Sequence, residues 1–152
     1  MFEIFRKKKK FFNEDEKSRI VEAIHLAEHR TSGEVRVFVE SRCSYVDAID
    51  RAAEIFSILK MHNTADKNGV LVYVAVKDHQ LAVFGDEGIH KKLGNEYWNK
   101  EVEQMIPHFN KNNYSEGIRQ CILDIGEALQ KHFPYNKDTD KNELPDDIVF
   151  GR

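Results

Sequence analysis

The sequence predicts an α/β fold: a small central sheet, a parallel β-α-β unit plus one antiparallel hairpin strand, flanked by helices in three layers. Three observations carry that expectation. Val35, Val37 and Val39 alternate with Arg36 and Phe38, the period of a strand. Val70-Leu71-Val72-Tyr73-Val74-Ala75-Val76 is an unbroken apolar run, as a strand covered on both faces requires. Between them Ile49, Ala52, Ala53, Phe56 and Leu59 recur at helical spacing, so the three segments read as strand, helix and parallel strand with a right-handed crossover.

The remaining elements follow in order. Asn13 with Glu16 is a capping box, and the helix it opens runs to about Arg30 with Ile20, Ile24 and Ala27 inward. Thr31-Ser32-Gly33 stops it. Ser44, with Asp47 three residues on, begins the second helix. Lys77-Asp78-His79 is a tight polar turn, after which Leu81-Ala82-Val83-Phe84 returns antiparallel. A third helix is expected over roughly 96–106, with Trp98, Val102, Met105 and Ile106 inward and Pro107 closing it. Asn113 and Glu116 cap a fourth, whose stripe is Ile118, Cys121, Ile122, Ile125 and Leu129, with Pro134 just beyond.

A chain of 152 residues suits one domain. The expected organisation is a basic, aromatic arm over 1–12, a domain over 13–133, and an acidic tail over 134–152 that carries Ile148, Val149 and Phe150 as a small apolar tag. The net charge of −3 is uneven. Arg6 and Lys7 to Lys10 oppose only Glu3, giving the arm +4 and leaving −7 for the rest. An acidic body argues against nucleic acid and for cations as partners. The arm's cations beside Phe2, Phe5, Phe11 and Phe12 suit peripheral contact with an anionic membrane; the alternative is a solvated tail. Cys43 and Cys121 form no C-x-x-C pair, no stretch has the length of a membrane span, and residues 1–12 lack the apolar centre of a secretory signal. A cytoplasmic location is expected.

Four stretches stand in a distinctive order: Thr31-Ser32-Gly33-Glu34-Val35-Arg36-Val37, Asn68-Gly69-Val70-Leu71-Val72-Tyr73-Val74-Ala75, Gly85-Asp86-Glu87-Gly88-Ile89 and Tyr114-Ser115-Glu116-Gly117-Ile118. Their order and spacing resemble the TPM domain, also labelled TPM phosphatase, of thylakoid-lumen and photosystem-repair proteins and of a receptor auxiliary protein. The likeness covers roughly residues 13–133. It implies a small sheet flanked by helices in a Rossmann-like manner, with acid phosphatase activity and calcium binding as the activities suggested across the family. The Asn142-Glu143-Leu144-Pro145-Asp146-Asp147-Ile148 tail is similar to that of short, stand-alone bacterial members.

The hairpin identifies the leading candidate site. If 70–76 pairs with 81–84 across the turn, Asp66 and Asn68 come near Asp86 and Glu87 at one sheet edge. Carboxylate and amide oxygens on loops suit a hard cation: Ca²⁺, or Mg²⁺ as the tighter, more hydrated alternative. The bland reading stands beside it, with Asp66 and Asn68 shaping a turn and Asp86 capping a helical turn. The opposite edge gathers Glu40, Ser41, Asp47 and the Asp78-His79 turn, a competing location because ligands favour the C-terminal ends of parallel strands.

Other motifs lack the context they need. His25-x-x-Glu28-His29 matches an inverted zinc-protease signature, but its histidines face away from the apolar stripe. Asp138-x-Asp140-x-Asn142 opens like an EF-hand loop yet has Glu143 where glycine is needed and Val149 where glutamate is needed. Neither cysteine leads a phosphate-binding loop, and G-x-S-x-G, P-loop and G-x-G-x-x-G patterns are missing.

Three functions remain open. The first is an accessory domain that binds a divalent cation at the Asp66/Asp86 loops and meets a protein partner. The second is a metal-assisted phosphatase in which His90 or His62 serves as general acid. The third is an assembly factor without a ligand.

Overall fold

Asn13 opens the first helix with a reciprocal cap. Its Oδ1 accepts the Glu16 amide at 2.8 Å while the Glu16 carboxylate accepts the Asn13 amide at 3.0 Å. The computed structural model of the protein describes residues 11–135 and 148–151. In order these form α1 (Glu14–Glu28), β1 (Glu34–Glu40), α2 (Ala48–Ile58), β2 (Gly69–Ala75), β3 (Gln80–Gly85), α3 (Glu87–Leu93), α4 (Asn95–Asn110), α5 (Tyr114–His132) and β4 (Ile148–Phe150). The 138–142 acidic run and residues 1–10 of the basic arm lie outside the described residues.

The four strands make one sheet in the order β3-β2-β1-β4. β1 and β2 run parallel, with Val35 opposite Val70 and Glu40 opposite Ala75. β3 is antiparallel to β2, with Val72 opposite Val83. The expected β-α-β unit and hairpin are both present. Because side chains alternate along each strand, Val35, Val37, Val39, Val70, Val72 and Val74 share one face and pack on α1, α4 and α5. Phe38, Leu71 and Tyr73 occupy the other face beneath Ala52, Ile55 and Phe56 of α2. Helices on both faces make three layers, and each fully buried branched side chain contributes about 1.5–3 kcal/mol.

Four details depart from the sequence-based expectation. Asp47, not Ser44, precedes α2, and its buried side is Ala48, Ala52, Ile55 and Phe56, with Ile49 exposed. Small Ala48 and Ala52 let this side lie close on the sheet. Pro107 sits inside the last turn of α4 instead of ending it, and Ile106 is exposed. A proline there removes one backbone bond, and the buried Phe109 holds the turn that follows. The seven-residue α3 lies between the strands and α4, too short to show a period. Finally, Ile148–Phe150 is the fourth strand, parallel to β1 with Phe38 opposite Val149. Phe12 is buried beside it, 6.3 Å from the Phe150 ring.

Candidate functional site

The backbone of the 62–68 loop is clamped to the start of α3. The Asp86 amide donates to the Gly69 carbonyl at 2.9 Å and the Ile89 amide to the Lys67 carbonyl at 3.3 Å. At Gly88 an added Cβ would collide with the Asp66 carbonyl oxygen and stand 2.6 Å from that of Lys67, so only glycine lets the two segments approach this closely. The loops carrying Asp66, Asn68, Asp86 and Glu87 therefore meet, as the pairing of the strands requires.

Their side chains divide into two pairs. Asp66 and Glu87 are exposed, whereas Asn68 is 1% and Asp86 4% exposed. The Asn68 amide nitrogen donates to Ser32 Oγ at 3.2 Å, and its Oδ1 has no hydrogen-bond partner among the described residues. Asp86 Oδ1 accepts the Glu87 amide at 2.8 Å and faces His62 Nδ1 at 3.2 Å, while its Oδ2 has no hydrogen-bond partner among the described residues. Buried Thr64 Oγ1, in the same loop, also has none among them. Leaving a buried polar atom unsatisfied costs about 1–3 kcal/mol. Among the described residues no three His, Cys, Asp or Glu side chains gather into a metal-ligating group.

Both candidate histidines face one groove of about 1300 Å³ that runs beside β3, between the start of α2 and α4. His62 lies edge-on against Phe56, with ring centroids 4.6 Å apart. His90 Nδ1 stands 3.0 Å from the indole nitrogen of Trp98. Indole can only donate, so Nδ1 of His90 is the acceptor and its proton resides on Nε2.

The opposite sheet end is a closed charge network. Arg51 reaches both carboxylate oxygens of Glu40 at 2.9 Å, the Tyr73 hydroxyl donates to the same carboxylate, and Arg51 also pairs with Glu54. Burial, reinforced by Glu40, pushes the Tyr73 hydroxyl far up, while the hydrogen bonds from Tyr45 and Arg51 hold the Glu54 carboxyl low. Asp78 accepts the Cys43 amide at 2.7 Å and pairs with Arg42 at 3.0 Å. His79 and Asp47 are exposed and Ser41 half-buried. The strand C-termini thus carry carboxylates whose partners are protein groups.

The H-x-x-E-H stretch has a structural task. Glu28 accepts the Val35 amide at 2.9 Å, tying the end of α1 to the start of β1, and the His29 ring lies 2.7 Å from the His25 carbonyl.

Two polar residues escaped the sequence reading. Thr64 stands in the polar stretch 62–69, where nothing in the sequence marks it for burial. Glu101 falls on the inward stripe between Trp98 and Met105, a position whose burial its charge conceals. It is buried beside α5; burial, then the neighbouring Asp124 carboxylate, raises its carboxyl to about 7. Burial also raises the Cys121 thiol, with Glu101 the next cause.

No helix among the described residues is long and apolar enough to cross a membrane. Comparison with curated proteins finds no match. Among solved structures, the chain is similar to the NMR structure of BA42 protein from the psychrophilic bacterium Bizionia argentinensis sp. nov., at 41% identity and a TM-score of 0.86, over 95% of this chain and 99% of that one. The N-terminal domain of a P. gingivalis protein shares the fold at 17% identity and a TM-score of 0.67, over 83% of each chain. So does the N-terminal domain of the cg2496 protein of Corynebacterium glutamicum, at 9% identity and a TM-score of 0.62, over 91% of this chain and 80% of that one. The sequence profile of the TPM domain matches residues 6–128, and the chain belongs to the TPM-domain family.

Proposed function

We propose that this TPM domain binds a divalent cation, Ca²⁺ in preference to Mg²⁺, where the 62–68 loop meets the start of α3, and that it acts as an accessory domain toward a protein partner. The observation that carries the reading is a pair of buried oxygens without a hydrogen-bond partner among the described residues, Asn68 Oδ1 and Asp86 Oδ2, on two segments held together by backbone hydrogen bonds. One buried carboxylate with amide, hydroxyl and backbone carbonyl oxygens is the donor chemistry of a hard cation, not of zinc, which takes imidazole or thiolate. Exposed Asp66 and Glu87 add negative charge at the rim. The ion would supply charge to satisfy Asp86, and ordering of the two loops would follow.

Melting temperature in chelator, Ca²⁺ and Mg²⁺ tests this. Stabilisation should reach about 2.7 kcal/mol when Ca²⁺ exceeds its dissociation constant a hundredfold. Asp86→Asn, which keeps an oxygen for the Glu87 amide, should lose the response. Identical melting with and without both ions would remove the reading.

A second reading, metal-assisted phosphatase activity, is favoured by one contact. His62, held at Asp86 Oδ1, lines the groove and is open to solvent, so it could give a proton to a leaving oxygen. Its test is hydrolysis of p-nitrophenyl phosphate by wild type and His62→Gln; equal turnover in both would discard it.

A further inference from the structure

The groove beside β3 carries negative charge at its ends and apolar surface between them, and we propose that it binds a linear aliphatic polyamine. Val83, at the centre of the strand, is 1% exposed, and the Trp98 ring lies against Gly85, so the groove offers side chains and not backbone. Topology sets its ends. Gln80, Ala75 and Glu40 share one end of the sheet, and Arg51, in the first turn of α2, reaches Glu40 there. Asp47, which precedes α2, therefore stands near the start of β3. Asp86 and Glu87 follow the other end of the strand. Glu103 sits on the α4 wall, about 8 Å along the helix from Trp98. Ile49, Leu81 and Val102 line the stretch between these charges.

That pattern selects the ligand. Asp47, Asp86, Glu87 and Glu103 oppose one lysine, Lys67, whose ammonium is already engaged with the His62 carbonyl at 2.8 Å. Such a surplus of carboxylates draws in cations. Asp86 adds a need for a donor: it is 4% exposed, and its Oδ2 has no hydrogen-bond partner among the described residues. An ammonium brings three donors. A compact metal ion can meet one end of the groove but has nothing to lay on Ile49, Leu81 and Val102. A wholly apolar ligand leaves the carboxylates unanswered. Ammonium groups spaced along a methylene chain satisfy both. Length agrees as well. The six residues of β3 span about 17 Å. A staggered chain of about twelve single bonds, each about 1.5 Å, extends about 15 Å. A tetra-amine has that reach, and butane-1,4-diamine does not. The proposal does not rest on divalent-cation binding at the loop junction, because it requires charge along the whole groove.

Trp98 lines the groove and is the single tryptophan of the chain, so its fluorescence reports occupancy. Titrations of the full chain, freed of divalent ions and at low salt, test the proposal. Affinity should rise from butane-1,4-diamine to spermidine to spermine. Spermidine should also bind about tenfold more tightly than hexaamminecobalt(III), which has the same charge and no methylene chain. Asp47→Asn/Glu103→Gln changes two exposed side chains, the first of which makes no cap hydrogen bond, so the fold is not at risk. This variant should weaken spermine about tenfold while the short diamine is hardly affected. No saturable response to spermine overturns the proposal. So does equal affinity for spermidine and hexaamminecobalt(III), or spermine affinity unchanged in the double variant. Tighter binding of a tetralysine peptide than of spermine overturns it too, and assigns the groove to a basic protein segment instead.

Discussion

His62 Nδ1 lies 3.2 Å from Asp86 Oδ1, so a solvent-facing imidazole leans on a carboxylate that is otherwise enclosed. The same oxygen caps α3 through the Glu87 amide. Asp86→Ala removes both contacts and should cost about 1 kcal/mol in chelator, the usual loss for a helix cap. Asp86→Asn retains an accepting oxygen and should cost less. Denaturant unfolding of the two variants separates cap from charge.

Gly88 makes a sharper test of the loop junction. Gly88→Ala adds a single methyl against the Asp66 and Lys67 carbonyls, neither of which belongs to a flexible side chain. Overpacking of this kind costs about 1–3 kcal/mol. The variant should also lose any Ca²⁺-dependent rise in melting temperature, though every side-chain oxygen remains. Calorimetry with Ca²⁺ checks this directly.

The closed network predicts asymmetric losses. Arg51→Ala strands the buried Glu40 carboxylate with Tyr73 as its remaining partner and should cost about 3 kcal/mol. Tyr73→Phe keeps the Arg51 pair and should cost about 1–2 kcal/mol. Urea midpoints of the two variants give the comparison; a smaller loss for Arg51→Ala would contradict the ordering.

Glu101 sets a pH dependence. Its carboxyl is raised from 4.5 to about 7 in the folded protein, so the folded state holds a proton that the unfolded state has released between those values. Stability then falls as pH rises through that window, and the penalty is complete above it. Glu101→Gln removes the titration. It should melt roughly 10 °C above wild type at pH 8 and show no such gain at pH 4. Melting curves across that range read the difference.

How much of this was legible in the sequence varies with the kind of signal. The valines at 35, 37 and 39 and the unbroken 70–76 run specify the parallel pair because strand period and two-sided burial leave direct marks on side-chain type. Glu16 behind Asn13 marks a helix start for the same local reason. By contrast Ile148, Val149 and Phe150 are too few to show a period, and only the open side of β1 gives them a place. Pro107 misled because a proline in a last turn costs one hydrogen bond, which the packing of Phe109 offsets.

The candidate site was half legible. Strand pairing alone brings the Asp66 and Asp86 segments together, and the backbone bonds at Gly69 and Lys67 do so. Which side chains turn inward is set by tertiary surroundings. Asn68 is drawn in by Ser32, far away in sequence, and Asp66 is left in water. Composition carries no mark of that choice.

Because β4 follows every other element in chain order and pairs with β1, the sheet stays unfinished until Ile148–Phe150 have emerged from the ribosome. During translation β1 would present a bare flank on the side away from β2, which is already paired with β3. Emergence of Ile148–Phe150 closes that flank, with Phe150 arriving beside Phe12. Nascent chains held on stalled ribosomes before residue 148 should therefore be more easily cleaved by protease than the released protein.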